Sequence, residues 1–193
     1  MAIDRQSKIS IGQWFFRNRD YTPIPLIILL LFFGKPTVAS ASLGLLCVVF
    51  GELIRIYSVS FIGGVSRTRS DSTGQSLVAT GPFSMVRNPL YLGNFFISFG
   101  FSLFGGEAWI ALLTVAMFAV QYFFIVQYEE SILSQKFGDE YSNYRKRVPA
   151  FIPLNLPKLE QVEWPRDFSP ALKSEKRTLT TIFALLAFLI ALS

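Results

Sequence analysis

The chain has 193 residues, of which 51% are hydrophobic and only 16% charged, and its mean hydropathy is +0.43. A soluble domain of this size carries about 25% charged residues, so the deficit together with long apolar runs points to a membrane protein. The net charge of +5 comes from basic residues beside apolar segments. That placement favours anionic lipid headgroups as partners and argues against nucleic acid. There is no histidine, which removes the commonest metal ligand and the commonest general base together; neither a metal site nor a His-based triad is expected. The single Cys47 excludes an intrachain disulfide.

In chain order, residues 1–20 are polar and basic, with Trp14-Phe15-Phe16 as an aromatic anchor at a membrane surface. The apolar run Pro23–Phe33 is short for a full span. Arg17 and Arg19 before it and Ala39-Ser40-Ala41 after it imitate a signal peptide, but Asp20, Pro36 and an immediate second apolar segment favour a retained helix. Thr37–Gly64 is long enough to cross, and Val65–Val86 reads as a polar loop. Pro89–Phe104 and Ala108–Tyr128 form a helical hairpin turned at Gly105-Gly106. Residues 134–178 read as a charged soluble tail, and 179–192 as a last apolar segment. The expectation is one all-α domain, an integral membrane bundle of about five transmembrane segments, with residues 23–133 holding the membrane helices and their loop.

Charge asymmetry orients this layout. With a cytoplasmic N-terminus, 16 of the 18 Lys and Arg residues lie on the cytoplasmic side, Lys35 lies outside and Arg55 lies within the second span. The 75–93 stretch, the Glu129-Glu130 pair and the basic tail then share one cytoplasmic membrane face. Within the second span, Glu52 and Arg55 are three apart and share a helical face. They are either a structural ion pair or the lining of a lipid-substrate entrance.

The stretch Gln75 to Gly93 concentrates the chemistry. Pro82 and Pro89 bracket Phe83–Asn88 and bias the chain away from helix. Such a turn can aim Arg87, Asn88 and backbone amides at a small anion, with Tyr91 offering a hydroxyl or a ring; it can also be a plain loop. Two adjacent acids at the end of an apolar helix are costly unless solvated or paired, and they oppose the helix dipole. One of Glu129 and Glu130 can face the bundle while the other meets water or the tail's Arg145 and Arg147.

Taken together, Leu77-Val78, Thr80-Gly81-Pro82-Phe83, Arg87-Asn88-Pro89-Leu90-Tyr91-Leu92-Gly93, Glu129-Glu130, and Phe137-Gly138 through Tyr141, Tyr144 and Val148-Pro149 resemble the isoprenylcysteine carboxyl methyltransferases and the phospholipid N-methyltransferases. The resemblance covers residues 45–153, and its specificity lies in the order and spacing of the pieces. It implies S-adenosylmethionine bound without a Rossmann domain. The implied cofactor positions are Gln75, Leu77, Val78, Phe83, Arg87, Asn88, Pro89, Leu90, Tyr91, Gly93, Glu129 and Glu130. Leu77, Val78 and Phe83 would enclose adenine, Asn88 would meet the methionine carboxylate, and Glu129 an ammonium or ribose hydroxyls.

Three departures bear on the acceptor. Asn88 stands where the carboxyl methyltransferases have His, although phospholipid N-methyltransferases share Asn-Pro-x-Tyr-x-Gly. No basic residue occurs in 122–128, where the carboxyl methyltransferases carry an Arg for the substrate carboxylate. The chain also continues some 40 residues past Pro153. The expected acceptor is membrane-resident or lipid-like, an amine lipid somewhat ahead of a prenylcysteine-type carboxylate. Glu130 would take the proton of an amine, while Arg145 and Arg147 would hold a carboxylate by folding back. The other readings are a non-catalytic membrane binding or transport protein and a membrane reductase.

Overall fold

The computed structural model describes residues 4–62, 76–153 and 162–192. Among these residues all regular structure is helical, in the order α1 (Arg5–Asn18), α2 (Ile24–Phe33), α3 (Val38–Ile62), α4 (Pro82–Met85), α5 (Pro89–Phe104), α6 (Ala108–Arg147) and α7 (Ser169–Leu192).

Local sequence explains the boundaries. Asp4 caps α1 by accepting from the Ser7 N–H at 2.6 Å, which holds its carboxyl below the usual range. At the start of α3, Thr37 and Ser40 bond reciprocally: Thr37 N donates to Ser40 Oγ at 2.9 Å and Ser40 N to Thr37 Oγ1 at 3.1 Å. This is a capping box with Ser in place of the usual Glu. Pro82 and Pro89 open α4 and α5, where a missing N–H costs nothing. Gly81 precedes α4 at φ 56°, a region that favours glycine.

The tightest packing is between α3 and α5, which run antiparallel. Gly44 faces Gly100, and Gly51 faces Gly93; a Cβ at Gly100 would lie 2.7 Å from Gly44 O, and one at Gly51 would lie 2.7 Å from Gly93 O. Small residues let two apolar helices approach to backbone contact. α7 closes this pair, with Ile182 and Leu189 buried against Leu30, Val48, Phe101 and Phe104.

The sequence reads residues 1–20 as a polar, basic segment with an aromatic anchor, without placing a helix in it. Residues 5–18 instead form α1, which lies along α6: a Cβ at Gly12 would lie 2.2 Å from Phe124 O, and Phe15 stacks on Phe124 with ring centroids 6.2 Å apart. The helix begun at Ala108 also runs past the acidic pair to Arg147, through a break at Gly138 (φ 51°).

Among the described residues two helices, Val38–Ile62 and Ala108–Arg147, are long and apolar enough to cross a membrane, and Ile24–Phe33 and Pro89–Phe104 are shorter apolar helices. Their outer faces are apolar: Leu46 is 67% exposed, Leu53 58% and Leu112 71%. Water would penalise such a surface, whereas lipid accepts it.

The two ends of the bundle differ. At one end Lys35 N donates to Gly105 O at 2.7 Å, and the Lys35 ammonium lies 3.9 Å from Glu107. The turn 81–88, the acidic pair and the end of α6 gather at the other.

Candidate active site

The turn between α4 and α5 is held by the chain that follows α6. Arg87 N donates to Pro149 O at 2.8 Å and Asn88 N to Ala150 O at 3.1 Å. The Asn88 side-chain amide donates to the same Ala150 carbonyl at 3.1 Å. Tyr144 adds a hydroxyl bond to Phe83 O at 2.7 Å. Residues 148–151 are thereby brought back onto the start of α5, and Phe151 packs against the cluster of Tyr91, Tyr122, Ile125 and Val126.

Arg87 and the acidic pair divide the remaining polar work. The Arg87 guanidinium donates to Glu130 Oε1 from Nε at 3.0 Å and from Nη2 at 2.6 Å, while its Nη1 donates to Val148 O and Arg145 O. Glu130 Oε2 lies 3.3 Å from Arg145 Nε. Both oxygens of the buried Glu130 thus meet a guanidinium. Arg147 does not join them; it is exposed and bonds Asn143 O on its own helix. Glu129, one residue earlier, is only half-buried and has a different partner, interacting with the Tyr91 hydroxyl. The 100° step between helix neighbours puts the two acids in two environments.

Sequence reasoning missed Arg19. Just past α1, its guanidinium lies over the Phe16 ring at 4.3 Å and acts electrostatically on Glu129 and Tyr91. Its signal was only its membership of the N-terminal basic set. A second group lies deeper, of which the sequence marks Glu52 and Arg55 but not Asn94, Tyr122 or Glu175. Arg55 donates to Asn94 Oδ1 and to Glu175 of α7, and Asn94 donates to the Tyr122 hydroxyl at 3.0 Å. The Tyr122 and Tyr91 rings are 4.6 Å apart, so this second group abuts the first.

The other sequence-derived positions distribute as follows. Leu77, Val78, Phe83 and Leu90 are half-buried around the turn, and Pro89 is buried at the start of α5. A Cβ on Gly93 would lie 2.6 Å from Arg55 Cγ and 2.8 Å from Gly51 O, which gives that glycine a packing task. Gln75 and the loop residues Arg67, Arg69, Asp71 and Gly74 lie outside the described residues. Among the described residues no group of three or more Cys, Asp or Glu side chains is arranged to hold a metal ion. A cleft of about 380 Å³ lies between α1 and α6, lined by Arg5, Lys8 and Arg145 with Glu130 at its wall.

Fold and site define an all-helical protein of membrane type with a polar cluster at one end of its bundle. The chain belongs to the phospholipid methyltransferase family, which matches residues 39–140. It is 32% identical over 117 residues to the nickel-cobalt-cadmium resistance protein NccN of Alcaligenes xylosoxydans xylosoxydans, covering 61% of this chain and 51% of that one. It is 30% identical over 112 residues to the cobalt-zinc-cadmium resistance protein CzcN of Cupriavidus metallidurans (58% and 48%). To the protein-S-isoprenylcysteine O-methyltransferase of Homo sapiens it is 34% identical over 116 residues (57% and 40%). The chain thus spans about half or less of the length of these curated relatives. No solved structure matches it.

Proposed function

We propose that the chain is an S-adenosylmethionine-dependent methyltransferase acting on a membrane-resident or lipid-like acceptor. The observation that carries this reading is the joint placement of Tyr91 and Glu129, interacting at the polar end of apolar helices and faced by Arg19. Family membership and the methyltransferases among the relatives support it.

The residues present fit the methyl donor by their chemistry. Half-buried Leu77, Val78 and Phe83 offer an apolar bed for a purine. Glu129 accepts from an ammonium or from ribose hydroxyls, and Arg19 and the second Asn88 N–H are donors for a carboxylate. Bound there, S-adenosylmethionine supplies an electrophilic methyl on sulfonium sulfur. The protein's own work is to hold donor and acceptor in line and to exclude water, because positioning carries much of such a rate. Glu130 is assigned to holding the turn instead of taking a proton, since two guanidinium groups engage both of its oxygens.

The reading includes a multi-pass arrangement of about five membrane segments, with the site on the cytoplasmic face. Its support is the two long apolar helices, the two shorter ones and the 16-of-18 charge bias. Calorimetric or fluorescence titration of the detergent-purified chain with S-adenosylhomocysteine tests the methyltransferase assignment. Saturable binding in the micromolar range is expected. No detectable binding up to millimolar ligand would overturn the assignment.

A further inference from the structure

Arg5 and Lys8 are three apart on α1 and share a face of that helix. On α6, Phe123, Gln127, Ser131 and Ser134 follow one another at steps of four, four and three, so they form one stripe. The two helices run antiparallel, with Gly12 against Phe124 and Arg5 sharing a cleft with Ser134. That cleft, of about 380 Å³, is lined by Arg5, Lys8, Gln127, Ser131, Ser134 and Arg145, and its size suits a small ligand. An adjoining hollow of about 490 Å³ shares Arg5, Ser131 and Ser134 and adds the amides of Gln6 and Gln135.

Charge selects the ligand. Among the described residues that line the cleft, Glu130 brings the single carboxylate, and Arg87 meets it with two donors from within the protein. Asp4, beside Arg5, is engaged as the cap of α1. Arg5, Lys8 and Arg145 therefore leave the cleft cationic. The positive end of the α1 dipole lies there too, with no acidic residue in the first turn. Arg145 meets Glu130 through Nε at 3.3 Å with 55% of its side chain exposed, so its planar fork can serve an anion as well. Three cations with serine hydroxyls between them match the oxygens of a phosphate group, and the amides of Gln6 and Gln135 match hydroxyls beyond it.

Position selects the source of that phosphate. Phe123, 49% exposed, lies one turn before Gln127 on the stripe, and the Lys8 ammonium sits 5.9 Å from the centre of its ring. Trp14, 58% exposed, lies further along α1 in the same direction. Amphipathic aromatic rings beside basic side chains mark the level where the headgroups of a bilayer begin. The cleft thus opens at headgroup level, above a surface suited to acyl chains.

We propose that the α1–α6 cleft binds an anionic phospholipid with an uncharged, hydroxylated headgroup, its phosphate held by Arg5, Lys8 and Arg145. None of the side chains given to the methyl donor above lines this cleft, and the proposal does not rest on the methyltransferase reading.

The experiment titrates the full chain in nonionic detergent micelles with phosphatidylglycerol and, separately, phosphatidylcholine, each carrying a fluorescent acyl chain, read by energy transfer from tryptophan. Phosphatidylglycerol is expected to bind about tenfold more tightly than phosphatidylcholine, whose headgroup brings its own cation. The double variant Arg5→Gln/Lys8→Gln is expected to remove that preference. Lys146→Gln/Arg147→Gln, which takes the same charge from exposed positions outside the cleft, is expected to keep it. Ser134→Leu, which fills the cleft, is expected to remove the preference as well and covers the case in which Arg5→Gln/Lys8→Gln does not fold. Inorganic phosphate is expected to displace the lipid only in the millimolar range. Equal affinity of the parent for the two lipids would overturn the proposal, as would a preference that falls alike in both double variants. Displacement by micromolar inorganic phosphate would also overturn it, because the occupant would then be a soluble phosphate.

Discussion

Arg87 uses all three guanidinium nitrogens, two on Glu130 and one on the carbonyls of Val148 and Arg145. With 11% of its side chain exposed and 9% of that of Glu130, the pair is buried. Removing Arg87 leaves the buried Glu130 with only the exposed Arg145, at a cost that approaches the roughly 3–5 kcal/mol of a broken buried pair. Arg87→Ala is therefore expected to lower the thermal midpoint in detergent sharply, and Arg87→Lys to rescue little, since a point ammonium cannot reproduce the planar fork. A midpoint like the parent's in Arg87→Ala would show that the latch carries no stability. At the donor side, Glu129→Ala and Asn88→Ala are each expected to weaken S-adenosylmethionine binding by about 1.5–3 kcal/mol, the worth of one charge-assisted hydrogen bond. Titration calorimetry checks this, and parent-like affinity in both variants would move the site elsewhere. The importance of Arg87-Asn88 was legible in the sequence from the proline bracket. Their partners were not, because those are backbone carbonyls about 60 residues away, at separations of 61 and 62, which no side-chain pattern announces.

At the scale of elements, apolar runs punctuated by Pro and Gly were easy to place. The sequence expectation of Pro89–Phe104 coincides with α5, and Thr37–Gly64 brackets α3 at Val38–Ile62. Helices whose ends are polar were harder. α1 mixes Lys8, Gln13 and Arg17 with aromatics, so its apolar face against α6 does not stand out. α7 opens with Lys173, Glu175, Lys176 and Arg177, which read as a soluble tail. Glu175 itself pairs across 120 residues with Arg55, a separation that periodicity does not reach. The glycines of α3 and α5 give an element-level prediction. Gly100→Ala places a methyl 2.7 Å from Gly44 O and 2.8 Å from Val48 Cγ2, and the forced separation of the helices is expected to cost about 1–3 kcal/mol. Gly44→Ala strains the same contact, so the double variant is expected to lose less than the two single losses combined. Thermal midpoints of the three variants measure this, and strict additivity would mean that the helices do not meet at these two glycines.

For the whole molecule, the two ends of the bundle carry different chemistry, and this yields a test of orientation. One end has the α2–α3 link tied to the α5–α6 turn by the Lys35 N–H bond to Gly105 O, with the Lys35 side chain 85% exposed. The other collects Arg87, Glu130, Arg145 and the docked 162–168 segment, where Glu163 accepts from Gly81 N at 2.7 Å. Basic residues are retained on the cytoplasmic side during insertion, and Lys35 is the single Lys or Arg assigned to the outer side by the sequence layout. In a Cys47→Ala background, Lys35→Cys is expected to react with a membrane-impermeant maleimide added to intact cells. Glu140→Cys, on the exposed face of α6, is expected to react only after the membrane is permeabilised. The reverse labelling pattern would invert the molecule and carry the Tyr91–Glu129 pair to the outer surface, away from a cytosolic methyl donor. Orientation and methyl transfer are therefore linked: inverted labelling would count against both.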